Sequence, residues 1–162
     1  MDLPKRKPTR LKEFDYSKQG VYFITICTHN RKNVLSDIIV GEGLCALPKV
    51  RLTPIGELVN NAIIYIDENY NGVSVDKYVI MPNHIHLMIR IDSPSGGDGT
   101  PPLQLYDIIG RFKSFTTNEY GNVLWQRSFH DHIIRNINDY SDIWNYIDLN
   151  PKKWSEDCFY MK

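Results

Sequence analysis

Apolar residues along the chain change their spacing several times, and each change marks an element. Val21–Thr28 (VYFITICT) is dense in β-branched and aromatic residues and predicts a buried strand. The polar run Asn30, Arg31, Lys32, Asn33 marks a turn, and Val34–Val40 predicts a second strand. The spacing then becomes helical. Ile55, Leu58, Val59, Ala62, Ile63 and Ile66 form one apolar stripe, predicting an amphipathic helix from Pro54 to about Asn69. Thr53-Pro54 supplies its start, with threonine as N-cap and proline at the first helical position. Val75–Ile80 and His84–Ile91 predict two strands joined tightly through Met81-Pro82-Asn83. Leu105, Ile108, Ile109, Phe112 and Phe115 mark the inward stripe of a second helix, with Arg111, Lys113 and Ser114 largely off it. Phe129–Arg135 predicts a short strand. Tyr140, Ile143, Trp144 and Ile147 define a last helix, which should end or kink near Asn150 because Pro151 disfavours helical geometry in the residue before it.

The order is strand, strand, helix, two strands, helix, strand, helix. It predicts an α+β fold: a single-domain, two-layer sandwich with a mostly antiparallel sheet and helices packed on it. Two segments stand apart. Residues 1–13 form a basic arm (Lys5, Arg6, Lys7, Arg10, Lys12) with no core of its own, either a solvated tail or a phosphate-contacting arm. Residues 92–102 (DSPSGGDGTPP) form a flexible polar loop.

The 162 residues fit one domain with a core that needs no disulfide staples. No apolar run approaches membrane-spanning length and the first residues do not resemble a signal peptide, so neither export nor membrane insertion is predicted. Cys27, Cys45 and Cys158 are odd in number and lack CxxC spacing. They fit a reducing cytoplasm and argue against a structural zinc site. The formal net charge of +0 disfavours a protein that wraps long duplex DNA and favours a small footprint.

The sharpest chemical feature is His84-Ile85-His86. On a strand, Ile85, Leu87, Ile89 and Ile91 share one face, and His84 and His86 share the other with Met88 and Arg90. Two imidazoles at this spacing sit close enough to chelate one divalent ion, although on spacing alone a hydrogen-bonded surface pair is the commoner outcome. A second pair, His130-Asp131-His132, has the same spacing, and spacing alone does not choose between them. Tyr146 and Asn150 lie four residues apart, on one helix face at the edge of the buried stripe. Each taken alone is an ordinary packing or turn residue.

Taken together, MPNHIHLMI at 81–89, Phe112-Lys113-Ser114 on a basic helix, WQRSFHDHIIRN at 125–136 and YIDLNPKKW at 146–154 resemble the REP-associated tyrosine transposases. These are relatives of the single-strand insertion-sequence transposases of the HUH class. The motifs occur in the right order from roughly residue 14 to residue 154, and the closing Tyr-Ile-x-x-Asn-Pro is the most specific of them. The resemblance implies a ferredoxin-like HUH fold in which His84, His86 and Asn150 hold Mg²⁺ or Mn²⁺ and Tyr146 is the nucleophile. It also implies that His132 recurs in the family without being a metal ligand. Two features depart from the family pattern: the 92–102 loop is longer and richer in Gly and Pro, and the overall charge is less basic.

What the resemblance implies in function is a cytoplasmic enzyme that cleaves single-stranded DNA next to a hairpin. It would form a covalent 5′-phosphotyrosine, release a 3′ hydroxyl, use no organic cofactor and act as a monomer or homodimer. Arg111, Lys113, Arg127 and Arg135 are the candidates for contacting DNA backbone, and Trp125 is either a base-stacking or a core residue. Three other readings use parts of the same pattern. A metal-dependent phosphodiesterase needs the ligands but no covalent tyrosine. A noncatalytic single-stranded nucleic-acid binder needs neither, and a structural protein carries the histidines incidentally.

Overall fold

A computed structural model describes residues 19–39, 48–92 and 104–160. The expected basic arm and all but the first residue of the 92–102 loop lie outside them. The elements run β1 (Gly20–Cys27), β2 (Ser36–Ile39), β3 (Lys49–Leu52), α1 (Pro54–Asn69), β4 (Val73–Ile80), β5 (His84–Ile91), α2 (Leu105–Tyr120), β6 (His130–Ile134) and α3 (Ile137–Leu149), with a 3-10 turn at Trp154–Glu156. The fold is α+β and mostly antiparallel, as the element order predicts. One strand was not predicted: β3, which pairs with β2 in a separate two-stranded ribbon. Among the described residues no helix is long and apolar enough to cross a membrane.

The main sheet has the order β4-β5-β1-β6, and every neighbouring pair is antiparallel. β1 and β5 are therefore the central strands. In register, Tyr22 faces Ile89, Ile24 faces Leu87 and Ile26 faces Ile85. These six side chains make the inner face, and α1 and α2 cover it with Val59, Ile63, Ile66, Ile108, Ile109 and Phe112. The start of α1 is set locally: the Thr53 hydroxyl oxygen accepts from the Gly56 amide at 3.0 Å, and Pro54 opens the first turn. Gly56 allows close approach, since a Cβ there would stand 2.0 Å from the Leu35 carbonyl oxygen.

The other face of the sheet is covered too, by α3 and the segment that follows it. Tyr140 donates to Asp76 of β4 at 3.0 Å, and Asp76 also pairs with Arg90 of β5. Lys77 pairs with Asp148 and lies 4.3 Å from the centre of the Trp144 ring. These contacts lay α3 across the β4–β5 edge. They bury Met88 and both histidines of β5, so the strand is enclosed on both sides. Two side chains on and beside α2 settle differently from simple periodicity. Phe115, expected inside, is 51% exposed. Trp125 is buried and donates from Nε1 to the Thr116 hydroxyl at 2.7 Å, so of its two expected roles it takes the core one.

Candidate active site

His84 and His86 open the central strand β5, opposite Cys27 and Thr25 of β1. Alternation sends both rings to the α3 side of the sheet, where they are fully buried. Their Nε2 atoms lie 3.1 Å apart. The outer nitrogens are each held by a partner. Nδ1 of His84 is 2.9 Å from Oδ1 of Asn83, and Nδ1 of His86 is 2.8 Å from the Thr25 hydroxyl. Asn83 has no freedom to turn, because its Nδ2 donates to the carbonyls of Phe159 and Arg31. Its Oδ1 therefore accepts from Nδ1–H of His84, which leaves the Nε2 lone pair of that ring pointing inward. Thr25 can accept or donate. His86 accordingly presents an Nε2 lone pair when a cation takes both rings, and shares an Nε2 proton with His84 when none does.

α3 brings in the tyrosine. The Tyr146 hydroxyl is 3.4 Å from Nε2 of His86, and the ring packs edge-on against both His86 and Phe23. One turn later, Asn150 is 3% exposed at the C-cap of α3. Its Nδ2 donates to Asp157 at 3.3 Å, while its Oδ1 is buried with no hydrogen-bond partner. The chain then turns back beyond Pro151, and the Trp154 and Phe159 rings pack at a tilt against the His84 ring. The carboxylate of Asp157 arrives at the same place: one ligand atom from each of His84, His86 and Asp157 lies within 4.8 Å of the others.

Electrostatics follow from this burial. Desolvation pushes His84 down to about 4, with Arg31 lowering it further and Asp157 opposing. Desolvation and the neighbouring His84 hold His86 well below the ordinary histidine value. Both rings are thus neutral near pH 7, the state in which imidazole can ligate a cation. Burial, reinforced by Asp157, raises the Tyr146 phenol above its ordinary value, so its hydroxyl is protonated at neutral pH.

The donor set fits a divalent ion. Two nitrogens about 2.1 Å from one ion and at right angles to each other stand about 3 Å apart, close to the observed His84–His86 separation. The unsatisfied Oδ1 of Asn150 is an oxygen donor already desolvated, which is costly unless something positive occupies its lone pairs.

Known proteins resemble the chain in sequence and in fold. No family model matches the chain. It is 33% identical over 175 aligned residues to an uncharacterised protein of Haemophilus influenzae, covering 96% of this chain and 93% of that one. It is 28% identical over 142 residues to a REP-associated tyrosine transposase of Escherichia coli, covering 85% of this chain and 70% of the relative. Its fold superimposes with a TM-score of 0.64 on a REP-associated tyrosine transposase solved bound to a REP hairpin, at 23% identity, over 90% of this chain and 74% of the other. In sequence and fold the chain is REP-associated tyrosine transposase-like.

On that transposase-like frame the remaining candidates occupy distinct places. His130 and His132 point to the same side of the sheet as the β5 pair, because they stand opposite Thr25 and Phe23 on β1. They are separated from it by that strand, and His132 instead pairs with Asp139 at 2.9 Å. Arg127 is exposed and lies on the stretch that runs along the histidine end of β1, where the Gln126 amide donates to the Cys27 carbonyl. Lys113 donates to the carbonyls of Gln126 and Arg127 at 2.6 and 3.0 Å, bracing that stretch. Arg135 is exposed at the opposite end of β6. Arg111 sits in the other layer, on a groove of about 570 Å³ between α1 and α2.

Two residues beside the histidines escaped the sequence reading. Asp157 lies past Pro151, in a segment with no periodicity to show where it folds. Arg31 reads as part of a turn. In the structure it sits at positive φ (52°), with its guanidinium over the Phe159 ring and Nη1 donating to the Cys158 carbonyl at 3.4 Å. The only signal in the sequence was its place in a polar turn that directly follows a buried strand.

Proposed function

We propose that this transposase-like chain cleaves and rejoins single-stranded DNA beside a hairpin, with Tyr146 as nucleophile and Mg²⁺ or Mn²⁺ at His84, His86 and Asn150. The observation that carries the reading is the Tyr146 hydroxyl 3.4 Å from Nε2 of His86, with a buried, unpartnered Asn150 oxygen one helical turn away. A nucleophile and a cation-ready donor set converge on one point. The hairpin seen on a related transposase supports the substrate class.

In the proposed reaction, a bound divalent ion would supply Lewis-acid polarisation of the scissile phosphate. Asn83 and Thr25 hold the two imidazoles at fixed angles, so the donor set needs no rearrangement as charge develops. Tyr146 stands on a helix tied to the sheet through Asp76 and Lys77, which fixes its hydroxyl against the site. Its oxygen forms a bond to phosphorus as the bond to the 3′ oxygen breaks. The phenol proton passes to solvent, and the departing 3′ oxygen takes a proton from solvent to leave as a 3′ hydroxyl. The phosphotyrosine retains the bond energy, so a 3′ hydroxyl attacking the same phosphorus reverses the step without a nucleotide cofactor.

Arg127 is the proposed backbone contact nearest the site, with Lys113 holding its segment in place. Arg135 and Arg111 would meet DNA farther along the molecule, and the setting would be the cytoplasm. Incubating the protein with labelled single-stranded hairpin DNA and Mn²⁺, then denaturing in SDS, tests the proposal. A covalent adduct mapped to Tyr146 is the expected result. Cleavage without an adduct favours a metal-dependent phosphodiesterase, and binding without cleavage favours a noncatalytic binder.

A further inference from the structure

We infer that Asp157 is a ligand to the same ion as His84 and His86, so that the segment Trp154–Tyr160 completes the metal centre as it closes over the histidines. The inference rests on the metal-dependent reading above and extends its ligand set by a charged residue.

Its basis is a cluster of mutually explanatory contacts. Ligand atoms of His84, His86 and Asp157 lie within 4.8 Å of one another. Asp157 is held in that position from both sides: Oδ1 accepts from the Phe159 amide at 2.7 Å, and Oδ2 accepts from Asn150 at 3.3 Å. An ionised carboxylate has about four lone-pair sites, more than these two bonds and the neighbouring Cys158 thiol occupy. Among the described residues Asp157 forms no salt bridge, and Arg31, the cation beside the same pocket, donates to the Cys158 carbonyl instead. The adjoining Asn150 oxygen is buried and unpartnered. An anion and a bare, buried amide oxygen side by side are costly unless a cation lies between them.

The segment that carries Asp157 is built to stay. Phe159 and Trp154 pack at a tilt against His84 at ring-centre separations of 4.6 and 5.9 Å. The carbonyls of Phe159 and Cys158 accept from Asn83 and Arg31. Asn83, which orients His84, thus also anchors the strip that delivers the carboxylate. The chemistry agrees: a carboxylate and an amide oxygen beside two imidazoles is a harder set than imidazoles alone and better suited to Mn²⁺ or Mg²⁺.

Calorimetric titration with Mn²⁺ tests this on the full chain, comparing wild type with Asp157→Asn, Asp157→Ala and His84→Ala. Asn keeps the shape and an oxygen for the Phe159 amide while removing the charge. The expected result is Mn²⁺ affinity at least about tenfold weaker in both Asp157 variants and lost in His84→Ala. The Mn²⁺-induced rise in melting temperature should shrink in parallel. Unchanged affinity in Asp157→Asn, with binding lost in His84→Ala, overturns the role of Asp157 and leaves the metal centre standing. A wild-type protein that binds no Mn²⁺ overturns both. Should the Asn and Ala variants not fold, Asp157→Glu retains the charge on a longer arm. A displaced carboxylate is expected to weaken Mn²⁺ binding, and wild-type affinity in that variant overturns the inference.

Discussion

Asn83 joins His84 to the chain's last described segment: its Oδ1 accepts from Nδ1 of His84 at 2.9 Å, and its Nδ2 donates to the Phe159 carbonyl at 2.8 Å. A residue in that position both sets a ring's tautomer and holds down the strip that covers it. Asn83→Ala should therefore weaken Mn²⁺ binding by about 10–100-fold, the usual cost of losing the group behind a metal-ligating histidine. Calorimetry reads the change directly. Affinity equal to wild type would mean that packing alone orients His84.

The two His-x-His pairs make a matched comparison. His84→Ala or His86→Ala should abolish Mn²⁺ binding and cleavage. His130→Ala should leave both near wild type, because its strand stands beyond β1 from the buried pair. Mn²⁺ titration of the three variants side by side decides it. Loss with His130 instead would move the centre to the sheet's edge.

How much of this was legible depends on how local the cause was. Thr53-Pro54 foretells the start of α1 because capping is settled within four residues. The alternation in His84–Ile91 separates the two faces correctly, yet it implies one buried face where the structure buries both. Met88 and the histidines go inside only because α3 crosses that face, tied by Tyr140 to Asp76 and by Lys77 to Asp148. The first of those contacts spans 64 positions, and neither carries a periodic signal. β3 was missed because four residues, Lys49–Leu52, are too few for a period of two to stand out. Asp157 was missed because a turn beyond Pro151, not a helix face, brings it to the site.

Stability of the metal-free protein should fall with pH in a defined window. His84 titrates near 4 in the folded state and His86 is also depressed, both through burial, whereas unfolded histidine titrates near 6.5. Above that value neither state binds the protons and stability is complete. As pH falls from about 6.5 toward about 4, the unfolded chain takes up protons that the folded site refuses, and stability is lost. Denaturant melts in EDTA at pH 7.5, 6 and 5 should show the decline, and His84→Gln should flatten it. An equal slope in the variant would place the titrating groups elsewhere.

Gly56 offers a test of the α1 packing that does not touch the site. A Cβ there would meet the Leu35 carbonyl oxygen at 2.0 Å, a backbone atom that cannot swing away. The usual helical gain of Gly→Ala should be reversed, with Gly56→Ala destabilising by about 1–3 kcal/mol as the helix is pushed off its ribbon. Chemical denaturation measures this. A neutral or stabilising effect would show that α1 has slack against the Leu35 strand entry.

Tyr146→Phe should remove strand cleavage while sparing fold, Mn²⁺ binding and DNA binding. The ring that packs edge-on against His86 and Phe23 is retained, and only the hydroxyl is lost. That hydroxyl is the proposed attacking atom, and water has no comparable tether in a site whose histidines are sealed from solvent. Tyr140→Phe is the informative control. Its hydroxyl donates to Asp76 at 3.0 Å, so its loss should cost about 1 kcal/mol of stability and leave cleavage intact. The two variants therefore separate along different axes: one loses turnover at wild-type melting temperature, the other loses stability at wild-type turnover per folded molecule. Cleavage of labelled single-stranded hairpin DNA with Mn²⁺, followed on denaturing gels alongside thermal melts, reads both. If Tyr146→Phe cleaves at the wild-type rate, the covalent route fails, and a hydrolytic phosphodiesterase using the same ligands becomes the better account.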